Sequence, residues 1–116
     1  MQTPLQITFR HMEPSDALDA RIREEVAKLE SVYDRITRCH VTVDLPHKHQ
    51  RQGKHFTIRV ELSIPHDTIV IARDPSDDTT SEDPYAAVNE AFDQARRQLQ
   101  NHVDRMRGDV KRHGAH

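Results

Sequence analysis

Five apolar residues, Phe56, Ile58, Val60, Leu62 and Ile64, alternate without interruption with Thr57, Arg59, Glu61 and Ser63. A period of two puts all five on one side of a β-strand, leaving the other side to water. Such a strand needs partner strands and a second layer over its apolar face. Leu5, Ile7 and Phe9 interleave with Gln6, Thr8 and Arg10, and Val41, Val43 and Leu45 with His40, Thr42 and Asp44, so two further strands are expected. Pro65-His66-Asp67 reads as a tight turn from the long strand into a short one, Thr68 to Arg73.

Two helical stripes supply the covering layer. Pro14 and Ser15 open the first, with Ser15 as N-cap and Asp16 and Asp19 placing negative charge in the first turn. Leu18, Ile22, Val26, Leu29 and Val32 or Tyr33 then recur at helical spacing. Arg21, Lys28 and Arg35 are spaced seven apart and fall on a different strip, among Glu24, Glu25 and Glu30 on a mixed exposed surface. Asp83-Pro84 pairs an N-cap acid with a proline at the first helical position. Tyr85, Val88, Phe92, Ala95, Leu99, Val103 and Met106 form the buried face of the second helix, with an end expected at Gly108 or as late as Arg112.

The predicted order is β-α-β-β-β-α. Short connections favour an antiparallel meander for the last three strands, and the helical crossover lets the first lie parallel to a neighbour. With 116 residues, 34% hydrophobic and 31% charged, one thin core is available. The fold class is therefore α+β: a four-stranded mixed sheet with two helices on one face. Residues 1–108 are expected to form a single domain, with 109–116 as a short, basic, flexible tail.

The net charge of -2 conceals segregation. Lys48, Arg51, Lys54 and Arg59 occupy 45–60 without an acid, whereas Asp74, Asp77, Asp78, Glu82 and Asp83 occupy 74–83 without a base. From residue 96 onward Arg96, Arg97, Arg105, Arg107, Lys111 and Arg112 face only Asp104 and Asp109. Local potential, not net charge, steers a polyanion. The plainer interpretation is a set of ordinary solvated faces. Residues 74–82 read as a mobile acidic linker.

Catalytic chemistry has little to build on. The three glycines, Gly53, Gly108 and Gly114, are isolated, so no phosphate-cradling loop is expected, and no nucleophile constellation is visible. Cys39 is the only cysteine and sits in an apolar run, which suits a small buried hydrophobe. His47, His49 and His55 cluster on one basic loop, but no acid accompanies them, and a metal site is not expected. No cofactor or small-molecule substrate is expected, and no secretory leader or membrane-spanning stretch is read, which favours the cytoplasm.

Two stretches carry a wider pattern. One comprises Arg10-His11-Met12-Glu13, Ser15-Asp16-Ala17-Leu18, Ala27-Lys28-Leu29-Glu30 and Tyr33-Asp34-Arg35-Ile36; the other comprises Asp83-Pro84-Tyr85-Ala86-Ala87-Val88, Asp93 and Arg97-Gln98-Leu99. Together they resemble the ribosome hibernation-promoting and ribosome-associated inhibitor family, also known as sigma-factor modulation proteins, over nearly the whole chain. The resemblance implies a fold akin to the double-stranded-RNA-binding domain. It also implies docking in the decoding region of the small ribosomal subunit, where the domain excludes mRNA and tRNA.

The basic positions carried over are Lys28, Arg35, Arg97, Arg105 and Arg107. Arg96, Lys111 and Arg112 are compensating candidates, and Lys48, Arg51 and Lys54 are accessory ones. Glu25, Gln94 and Asn101 stand where relatives commonly carry lysine. Long-form members have a further C-terminal domain that pairs ribosomes, so a short form is expected here, with a separate dimerising factor as a possible partner. The alternative from another class is a protein-interaction regulator of a sigma factor, binding through the sheet face or the acidic linker.

Overall fold

The computed structural model describes residues 4–45, 56–72 and 83–115, with 108–115 described by backbone alone. The elements are β1 (Leu5–Arg10), α1 (Asp16–Val32), β2 (Arg38–Asp44), β3 (Thr57–Ile64), β4 (Asp67–Ala72) and α2 (Pro84–Ala115). The expected order and fold class are both observed. The sheet runs β1-β2-β3-β4, with β1 parallel to β2 and the other two pairings antiparallel.

Register carries the apolar alternations into continuous rows. Ile7 lies opposite Val41, Val41 opposite Val60, and Val60 opposite Ile71. Leu5, Cys39, Leu62 and Ile69 form a second row, and Phe9, Val43 and Ile58 a third. All three rows face the helices. Leu18, Ile22, Val26 and Leu29 of α1 and Val88, Phe92, Ala95 and Leu99 of α2 close over them in one buried cluster. Each such side chain contributes roughly 1.5–3 kcal/mol when fully buried.

Local signals explain where the elements begin and turn. Ser15 Oγ accepts from the Leu18 N–H at 3.2 Å, and the Ser15 carbonyl accepts from Asp19 N–H at 2.9 Å. Asp83 Oδ1 accepts from the Tyr85 N–H at 2.9 Å, with Pro84 between them. The β3–β4 hairpin is closed by the Ile64–Asp67 pair and turns at Pro65-His66, where His66 takes φ 70°. A proline followed by a positive-φ residue is the pattern of a type II turn.

Several expectations need correcting. The α2 helix passes through Gly108 and ends at Ala115. One glycine costs a helix only about 1 kcal/mol, and no proline follows to stop it. Tyr85 and Met106, expected on the buried face, are each 40% exposed. The cause is length. Thirty-two residues of helix span roughly 48 Å, against roughly 27 Å for the eight residues of β3. Among the described side chains, burial on α2 therefore runs from Ala87 to Val103, and the helix extends past the sheet. Glu25, expected at the surface, is 8% exposed. The fourth strand spans Asp67–Ala72, and its expected last residue, Arg73, lies outside the described residues, as do the loop 46–55 and the acidic segment 74–82.

Cys39 is buried on β2. Burial, reinforced by the Glu30 charge, pushes its thiol from 9.0 up to about 12. The thiol's contribution to folding is complete below its unfolded value of 9.0 and is lost as the pH rises towards about 12. Thiol-reactive dye should therefore label the native protein at pH 8 far more slowly than the protein in denaturant; equal rates would contradict this burial. Asp83→Ala should lower stability by about 1 kcal/mol, read from the urea midpoint at unchanged slope.

Candidate nucleic-acid interface

Two contacts show how the helices lie. Arg21 Nε donates to Asn89 Oδ1 at 3.1 Å, and the Tyr33 hydroxyl reaches Met106 Sδ at 3.9 Å. Tyr33 also meets His102 edge-on, with ring centroids 6.1 Å apart and planes at 70°. Both contacts occur in the same order along the two elements, so α1 and α2 run side by side in the same direction. A shallow groove lies between them.

Helical periodicity then decides which cations edge this groove. Residues seven apart return to nearly the same side of a helix, and residues eleven apart return within about 20°. Arg21 and Lys28 lie on the edge of α1 that faces α2, and Arg35 follows in the turn beyond its C-terminus. Asn89, Arg96 and Arg107 lie on the answering edge of α2. Arg97 and Arg105 fall on its outer side, exposed to solvent. The seven-residue recurrence noted in the sequence is thus one wall of the groove. Arg21 was not among the candidate contacts, although that same spacing pointed to it.

Most groove cations hold a weak acid partner. Lys28 Nζ meets Glu25 Oε2 at 3.0 Å, Arg21 meets Glu24 at 3.8 Å, and Arg96 meets Asp93 at 3.0 Å. The Lys28, Arg21 and Arg96 side chains stay 62%, 39% and 51% exposed, so these pairs contribute little to stability and can yield to a stronger anion. Arg97 Nε makes only a long contact, 3.5 Å, to the Asp93 carbonyl. Arg35, Arg105 and Arg107 form no ion pair with another described residue. Arg35 and Arg107 come together at the end of the groove, lining one cleft.

The opposite face of the sheet is largely polar, with Val70 the exposed apolar exception among the described residues. Thr8 Oγ1 lies 3.0 Å from His40 Nε2, and Glu61 lies 3.7 Å from His40 and 3.5 Å from Arg59. Arg10 and Arg38 also lie on this face, exposed to solvent. Lys48, Arg51, Lys54 and the His47, His49 and His55 group lie outside the described residues, as do the side chains of Lys111 and Arg112. Among the described residues there is no cluster of metal-ligating side chains, and no helix is long and apolar enough to cross a membrane.

Comparison with curated proteins gives no match. Two solved structures share the fold. A ribosomal subunit interface protein from Coxiella burnetii superposes with a TM-score of 0.70 at 18% identity, covering 88% of this chain and 99% of that one. The N-terminal domain of Protein Y from Thermus thermophilus superposes with a TM-score of 0.66 at 19% identity, covering 86% and 98%. Residues 5–107, from the first residue of β1 to the last groove arginine, match a single family across every strand and both helices. The chain belongs to the family described as Sigma 54 modulation protein / S30EA ribosomal protein.

Proposed function

We propose that this chain is a ribosome-associated hibernation factor that binds rRNA in the decoding region of the small subunit and blocks mRNA and tRNA. The observation that carries this reading is the groove between two parallel helices, edged by Arg21, Lys28 and Arg35 on one side and Arg96 and Arg107 on the other. Family membership and the shared fold of the Coxiella burnetii ribosomal subunit interface protein support a ribosomal partner. Phosphate contacts from these side chains supply affinity and orientation, and the cleft shape of the rRNA supplies specificity. The inhibitory action is occlusion, and it needs no catalytic step.

Arg97 and Arg105 extend the cationic surface beyond the groove, and Lys111 and Arg112, in the expected tail 109–116, continue it along α2. Lys48, Arg51 and Lys54 serve as accessory contacts. The regulator-of-a-sigma-factor reading is not favoured, since the solved relative whose name states a partner is a ribosomal subunit interface protein. A separate ribosome-dimerising factor remains a candidate partner for the bound state.

The protein should co-sediment with purified small subunits in low salt and partly dissociate in moderate salt; absence from the pellet in both would overturn the reading. Replacing Arg97, Arg105 and Arg107 by Ala should flatten the log–log salt dependence by about one unit per lost contact. An unchanged slope would remove those side chains from the interface. Prebound tRNA and message should lower the sedimented fraction if the decoding region is the site, and leave it unaltered if binding lies elsewhere.

A further inference from the structure

At the end of the groove, where α1 gives way to its C-terminal turn, the two helices leave a cleft of about 440 Å³. That volume falls in the range of small-molecule sites, roughly 300–1,000 Å³. It is large enough for one nucleotide and far too small for a duplex. Its base is Val103, 5% exposed, and its walls include the Tyr33 side chain and the 40% exposed Met106. Tyr33 is braced on both sides, by its hydroxyl contact to Met106 Sδ and by its edge-on contact with His102. Arg35 and Arg107 stand at the rim, one from each side of the groove.

We propose that this cleft seats one unpaired RNA nucleotide, its base against Met106 and Tyr33 and its phosphate between Arg35 and Arg107. The inference rests on the RNA-binding reading above and names the form of RNA taken at this point. Within a cleft of mixed lining, a polarisable thioether and an aromatic ring suit the face of a base. Two guanidinium groups without an ion-pair partner among the described residues suit a phosphate. Glu30 and Asp34 also line the cleft. Their carboxylates accept hydrogen bonds from base N–H groups and repel a second phosphate, which selects a single nucleotide over a polyphosphate.

Continuity favours this occupant over a peptide. A strand tracking the groove cations arrives at this end with its backbone already beside Arg35 and Arg107, so one splayed base enters without a new phosphate path. The chain's scarcity of aromatics limits this to a single position and leaves the rest of the interface to phosphate contacts.

The test is an NMR titration of the free full-length chain with adenosine 5′-monophosphate, ribose 5-phosphate and inorganic phosphate, observing backbone amides and the methionine methyls. The adenosine nucleotide should shift the amides of Tyr33, Arg35, Val103 and Arg107 and move the Met106 methyl upfield through the base ring current. Ribose 5-phosphate should perturb the Arg35 and Arg107 signals and leave that methyl in place. Met106→Ala, at an exposed position the fold does not depend on, should weaken the adenosine nucleotide by about fivefold, as loss of a partial stacking contact does. A null titration at tens of millimolar would overturn the proposal, and so would equal responses to all three ligands, which would mark an anion site only. No ribosome is present, so a failed titration with intact co-sedimentation removes the nucleotide seat alone. Failed co-sedimentation with a positive titration removes the ribosomal reading alone.

Discussion

Val41, Val60 and Ile71 lie directly opposite one another across three strands, with Ile7 completing the row from the parallel edge. A slip of one residue at any of these pairings would turn a whole strand's apolar side chains to the solvent face. Both helices dock on these rows, so their mutual placement is inherited from the strand register. The groove cations are held at their spacing by residues that carry no charge. Leu18, Ile22 and Leu29 fix one wall, and Val88, Phe92 and Leu99 fix the other.

The electrostatics of that groove rest on replaceable partners. A chain with net charge -2 does not attract a polyanion through its overall field. In the proposed reading the attraction is local, with side chains held by acids at 3.0–3.8 Å exchanging a carboxylate for a phosphate. Glu25 illustrates the arrangement. It stands where family resemblance suggests a lysine, yet it is 8% exposed and its charge is used by Lys28 one turn away. The substitution changes the local charge of the wall while keeping the neighbouring cation in position.

Element order, cap residues and the apolar alternations were legible because they depend on period and on local hydrogen bonding. The alternation in 56–64, Ser15 and the Asp83-Pro84 pair each state their structure within a few residues. Exposure at Tyr85 and Met106 was not legible, since helical spacing says which side a residue takes and not how far the opposing sheet extends. The run of α2 past Gly108 was likewise underdetermined by a residue that weakens a helix without stopping it. The candidate contacts could be named from charge, but their division between groove edge and outer surface could not. That division required the Arg21–Asn89 contact, which joins residues 68 positions apart. Arg21 itself was visible in the seven-residue recurrence, but only the second helix gave the recurrence a meaning.

The parallel placement of β1 beside β2 has a consequence for synthesis. A hairpin strand finds its partner within a few residues of leaving the ribosome, but β1 must wait for α1 and then for residues 38–44 before its ladder can form. Until then Leu5, Ile7 and Phe9 form an apolar stripe whose only early cover is the nascent first helix. The meander of β2, β3 and β4 closes through nearest neighbours, whereas the amino-terminal strand joins by a longer loop and with the larger entropy of closure. Closing the β1–β2 ladder thus costs more chain entropy than closing the β3–β4 hairpin, although both feed the same core.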